Sequence, residues 1–113
     1  MAKVKMDPAR MQENALRASD LMKLLGHPQR LMILCELSQG ECSVGELSER
    51  LVINQSPLSQ HLARMRYEGV VESRREAQTV YYSLSGREVA AVIQLLYTLY
   101  CQDPAGISRT ANG

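Results

Sequence analysis

Two groups of side chains in this sequence are of types that do chemistry. Between Asn54 and Tyr67, the residues Gln55, Ser56, Ser59, Gln60, His61 and Arg64 crowd the first helical turns with amide, hydroxyl, imidazole and guanidinium groups and no carboxylate. Such groups read nucleic-acid bases. Gln pairs bidentately with adenine, Ser serves base or phosphate, Arg reaches guanine or phosphate, and a small residue such as Ala63 leaves room for a thymine methyl. The second group is three cysteines, Cys35, Cys42 and Cys101, an odd number at wide spacings, which argues against a disulfide framework. By position alone, Cys35 shares the stripe of Leu31 and Leu34 and reads as a small buried hydrophobe. Cys42 reads as an incidental residue at the surface or at a helix N-terminus. Cys101 ends a helix, where the negative dipole end disfavours thiolate.

The elements that carry these residues follow from caps and periodicity. Asp7-Pro8 starts a first helix with an apolar stripe at Met11, Ala15, Ala18, Met22 and Leu25, ending at Gly26. Pro28 opens a second, closed by Ser38-Gln39-Gly40. Ser43 and Glu46 form a capping-box pattern for a short third helix with Val44, Leu47 and Leu51 inward. The fourth is expected to start with Ser56 as N-cap and Pro57 as first residue, to bury Leu58, Leu62 and Met65, and to end at Gly69. After Gly69 the period falls to two, with Val71, Ser73 and Arg75, then Val80, Tyr82 and Leu84. This is a hairpin, and its Glu76-Ala77-Gln78 tip, lacking Gly or Asn, predicts a longer, looser turn. Ser85 and Glu88 suggest a second capping box for a last helix through Val89, Val92, Ile93, Leu96 and Tyr100 to Cys101. Residues 102–113 read as a disordered polar tail after a single domain over 1–101.

The fold expected is mainly α with a small β-hairpin, in the order α-α-α-α-β-β-α: a winged helix-turn-helix. In that arrangement the fourth helix enters the major groove of double-stranded DNA with its early residues at the base edges. Arg74, Arg75 and Gln78 near the hairpin tip suit phosphate or minor-groove contact. Two bland readings stand beside this: His61 as a packed flank residue, and Arg74 with Arg75 as charges that keep a sheet edge soluble. A single winged helix covers half of a typical operator, so a homodimer is expected, built on the first and last helices, with Ala90, Tyr97 and Cys101 in an adjoining strip.

Composition narrows the function classes. At 113 residues one core accounts for the chain, and a net charge of +1 means that DNA binding must rest on a local patch. No run of 18 uncharged apolar residues and no signal-peptide pattern is present, so the expectation is a cytoplasmic protein without membrane contact. The two histidines stand in different helices with no nucleophile and orienting acid around them, so no enzyme is expected. No cofactor is expected either.

The segments LLGHPQRLMILCEL, SVGELSERL and SPLSQHLARMRYEGVVESRREAQTVYYSL resemble the ArsR family of dimeric winged-helix repressors, over about residues 16 to 101. Within that family the resemblance is to a sulfur-responsive branch, marked by a Cys ending LMILC and another ending LYTLYC, here Cys35 and Cys101. It implies that these two form a redox-sensing dithiol that is bridged through sulfur by persulfide, after which operator DNA is released. An alternative within the same resemblance is a regulator acting by competition with another DNA-binding protein, with thiol chemistry minor. Metal sensing is disfavoured, because the last helix holds no His and Cys42 has no partner cysteine within four residues.

Overall fold

The structure, a computed structural model, describes residues 7–101. Five α-helices and three strands follow one another as α1 (Pro8–Leu25), α2 (Pro28–Leu37), β1 (Cys42–Ser43), α3 (Val44–Leu51), α4 (Gln55–Tyr67), β2 (Val71–Glu76), β3 (Thr79–Leu84) and α5 (Arg87–Leu96). A π-helical turn, Tyr97–Cys101, continues α5. The tail expected over 102–113 lies outside the described residues.

The core is aliphatic, as a chain without Phe or Trp requires. Ile33, Leu34, Leu47, Leu58, Leu62, Met65 and Ile93 are wholly buried, joining α2, α3, α4 and α5 around one centre. Each contributes about 1.5 to 3 kcal/mol relative to exposure. Ser43 accepts a hydrogen bond from the Glu46 N–H at 3.1 Å while the Ser43 N–H donates to Glu46 Oε1 at 2.8 Å, so the expected box caps α3 reciprocally.

Several expectations need correction. The α4 N-cap is Asn54, not Ser56, which puts Pro57 third in the helix. There its missing N–H still costs nothing, because the first four helical N–H groups lack intrahelical acceptors. The Ser85 and Glu88 box does not form: the N-cap of α5 is Gly86, at φ 96, with no side-chain cap. On α1, Met11 and Met22 are exposed and only Leu24 and Leu25 are buried, so most of its apolar stripe is not part of this chain's core.

The sheet has a third strand that two residues are too short to announce by periodicity. Its order is β1-β3-β2, with Cys42 opposite Tyr82 and Ser43 opposite Tyr81. The hairpin turn is tight rather than loose, since Glu76 pairs with Thr79 and only Ala77 and Gln78 lie between them. Ala77 takes a φ of 57 to make it, a conformation that costs a non-glycine residue about 1 kcal/mol. The paired strands hold it there.

Candidate nucleic-acid interface

The α4 helix is fixed from beneath. Leu58, Leu62 and Met65 are completely buried, and their spacing turns Gln55, Ser56, Ser59, Gln60, Ala63, Arg64 and Tyr67 outward, where all are exposed. No acidic residue interrupts that surface. Arg64 reaches Glu68 at 3.8 Å, one turn on, an exposed pair weak enough to yield to a phosphate. Gly69, at φ 83, then turns the chain sharply from α4 into β2, a conformation that favours glycine. The reading surface and the wing are thus joined by a three-residue link, Glu68, Gly69 and Val70.

His61 is half-buried and faces the body of the protein. Its Nε2 lies 3.1 Å from Gln29 Oε1 and its ring meets His27 edge-on, with centroids 4.6 Å apart. His27 in turn caps α2, its Nδ1 accepting from the Gln29 N–H at 3.1 Å. Burial, then the nearby His27 and Arg30, push the pKa of His61 down. Of the two readings open from sequence, packing is therefore the one its hydrogen bonds favour.

The wing arginines part ways because successive strand residues face opposite sides. Arg75 is exposed and has no charged or hydrogen-bonded partner among the described residues, and Gln78 is exposed at the tip. Arg74 is committed elsewhere. It donates from Nε and Nη2 to Glu41 at 2.7 and 2.8 Å and from Nη1 to Glu76 at 2.9 Å, and its guanidinium lies 4.8 Å from the Tyr81 ring centroid. Both carboxylates raise its pKa further and in turn Arg74 lowers that of Glu41. Arg74 is thus engaged by a partner, Glu41, that lies 33 residues away in sequence and gave no local signal.

The cysteines are free thiols in three settings. Cys35 is half-buried on α2, and its pKa is raised by burial first and by Cys101 second, with Glu36 adding to both. The second cause means that Cys101, exposed at the end of the π turn, is within electrostatic reach of Cys35. Cys42 is buried in β1, correcting the surface position expected for it. Its sulfur accepts from Arg50 Nη1 at 3.4 Å, and burial outweighs that cation to raise its pKa. Among the described residues no cluster of three or more His, Cys, Asp or Glu is arranged to hold a metal ion. No helix there is long and apolar enough to cross a membrane.

Large apolar side chains are left exposed on α1 and at the end of α5. Met11, Leu16 and Met22 of α1 and Leu95, Leu99 and Tyr100 at the other end of the chain are all exposed. Of the strip expected beside the core face, Ala90 and Tyr97 are half-buried and Cys101 is exposed. The π turn, with more residues per turn than an α-helix, shifts the phase of Leu99, Tyr100 and Cys101 relative to the stripe of α5.

Comparison with known proteins agrees with this geometry. A profile of the family described as "Bacterial regulatory protein, arsR family" matches residues 27–73, which run from the N-cap of α2 into β2. The chain is 54% identical over 92 residues to Transcriptional activator HlyU of Vibrio cholerae, covering 81% of this chain and 85% of that one. A solved structure of reduced HlyU from Vibrio cholerae superimposes with a TM-score of 0.80 over 82% of this chain and 98% of the other. The transcriptional repressor BigR from Xylella fastidiosa is 40% identical with a TM-score of 0.77, over 84% of this chain and 94% of its own. The homodimeric winged helix-turn-helix DNA-binding domain of Mb0332 from Mycobacterium bovis is 30% identical with a TM-score of 0.66, over 88% and 89% respectively.

Proposed function

Because the chain belongs to the ArsR family of bacterial regulatory proteins, we propose that it is a homodimeric transcriptional repressor whose hold on operator DNA is released when Cys35 and Cys101 are joined through sulfur. Family membership makes it a winged-helix transcription regulator and not an enzyme. The observation that carries operator binding is the exposed, carboxylate-free face of α4 over a wholly buried Leu58, Leu62 and Met65. Gln55, Ser56, Ser59, Gln60 and Arg64 meet the DNA in this reading, and Arg75 with Gln78 follow the backbone from the wing. Operator DNA in a bacterium is cytoplasmic, and so is the protein.

Dimerisation is supported by the exposed apolar residues of α1 and the π turn, and by the homodimeric relative. Two reading helices then address half-sites about one DNA turn, roughly 34 to 36 Å, apart.

The sensing step is supported by the electrostatic interaction of Cys35 with Cys101 and by their placement, Cys35 on α2, which packs on α5, and Cys101 on the π turn that continues α5. A persulfide transfers its outer sulfur to one thiolate and leaves as the parent thiol; the second cysteine attacks the inner sulfur, forms the bridge and expels hydrogen sulfide. Cross-linking α2 to the π turn changes the spacing of the reading helices, and a coupling of about 1 to 3 kcal/mol accounts for a 5- to 150-fold loss of affinity. Fluorescence anisotropy on promoter DNA tests it. Cys35→Ser and Cys101→Ser are expected to bind like the parent and to ignore glutathione persulfide, whereas a variant that still dissociates like the parent refutes the dithiol.

A second reading is favoured by the 54% identity to a protein named as a transcriptional activator. In it the chain regulates by displacing another DNA-binding protein, with thiol chemistry minor. Mass spectrometry after persulfide treatment separates the two, because only the first requires a Cys35 to Cys101 cross-link.

A further inference from the structure

Arg74 spans the whole three-stranded sheet. From the outer strand β2 its side chain crosses the ring of its β3 partner Tyr81 and ends on Glu41, immediately before β1. Both guanidinium edges are used, two donors on Glu41 and one on Glu76. A planar, bidentate, stacked guanidinium is the most directional ion pair available to a side chain. Glu41 belongs to the segment that leaves α2 and enters β1 and α3, so its ion pair ties the hairpin to the helix-turn-helix body. The base of the hairpin is seated on that body by Val71, Tyr82 and Leu84, by the two-residue strand β1 and by the Glu68, Gly69 and Val70 link from α4, so Arg74 is the side chain that ties down its outer half.

We propose that Arg74 is a positioning residue, a latch that fixes the angle between wing and reading helix by holding Glu41, while Arg75 on the opposite face of β2 supplies the wing's cationic contact to DNA. The proposal rests on the DNA-binding reading above and says which of two adjacent arginines touches the phosphates. Three of the five guanidinium N–H donors are engaged by two carboxylates, which also offset its charge. Its contribution to affinity is therefore indirect: it removes the freedom of the wing to swing, so that Arg75 and Gln78 reach the duplex together with α4.

Salt titration of operator affinity distinguishes a latch from a contact. A residue that neutralises one phosphate reduces the slope of log K against log salt by about 0.9 when removed, and a residue that only positions others leaves the slope unchanged. Arg75→Ala is expected to lower affinity and reduce the slope by about that amount. Glu41→Gln, which removes no cation, is expected to weaken operator binding about 3- to 10-fold with the parental slope, and Arg74→Lys, which keeps the charge but loses the fork, to do the same. Tighter or unchanged binding by Glu41→Gln overturns the latch, as does parental affinity in Arg74→Lys. A parent that binds no promoter DNA refutes the DNA-binding reading instead. The latch is then judged by the Arg74 Nε–H resonance in nitrogen-15 spectra of the free protein, expected displaced and slow to exchange in the parent and ordinary in Glu41→Gln; an ordinary signal in the parent overturns it.

Discussion

His61 of the reading helix meets His27, the N-cap of α2, with ring centroids 4.6 Å apart, and both rings hydrogen-bond to Gln29, one through its side chain and one through its backbone. The charges acting on His61 are His27 and Arg30, both of which disfavour a proton there. Burial first, and then these two neighbours, lower its pKa from 6.5. In the window just below 6.5 the unfolded chain binds the proton before the folded one, so stability is complete above that pH and falls as the solution is acidified. Urea midpoints at about pH 7.5 and about pH 5.5 check it: the parent should lose more on acidification than His61→Gln, whose amide cannot titrate.

Val52 closes α3 in the left-handed region, at φ 55 and ψ 52, with 87% of its surface exposed. A β-branched residue gains nothing from that position and is strained by it. Val52→Gly should therefore raise stability by about 1 kcal/mol, read as a higher urea midpoint with unchanged cooperativity.

The Ser43 box is the one reciprocal helix cap of the described residues. Ser43→Ala should cost about 1 kcal/mol, seen as a fall of several degrees in Tm. Retention of the parental Tm would mean that solvent replaces the bond at no cost.

Met22 and Leu99 are 69% and 60% exposed, large apolar side chains with no cover in a single chain. Met22→Glu and Leu99→Glu are expected to leave the circular dichroism of the fold unchanged and to shift sedimentation from dimer to monomer. Operator affinity should fall with the dimer.

Gln60 lies in the middle of the exposed α4 face. If it reads a base, Gln60→Ala lowers specific affinity by about 1 to 3 kcal/mol and leaves binding to random DNA nearly unchanged. Equal losses on both would make it a positioning contact.

Local chemistry determined much of this protein in advance. The helices from Pro8, Pro28 and the Ser43 box, the inward row Leu58, Leu62 and Met65, and the change to period two after Gly69 are properties of residues a few positions apart, so the winged helix-turn-helix was legible from the chain itself. What depends on residues distant in sequence was not. The pairing of Cys42 with Tyr82 made a third strand, the 33-residue reach from Arg74 to Glu41 engaged one of the two wing arginines with a carboxylate, and Gln29, 32 residues before His61, turned that imidazole inward. The exposure of the α1 stripe and the phase shift of the π turn belong to the same class, because which side of a helix is buried depends on what packs against it. Periodicity states that a face is apolar or polar; only the folded chain decides which partner each face finds.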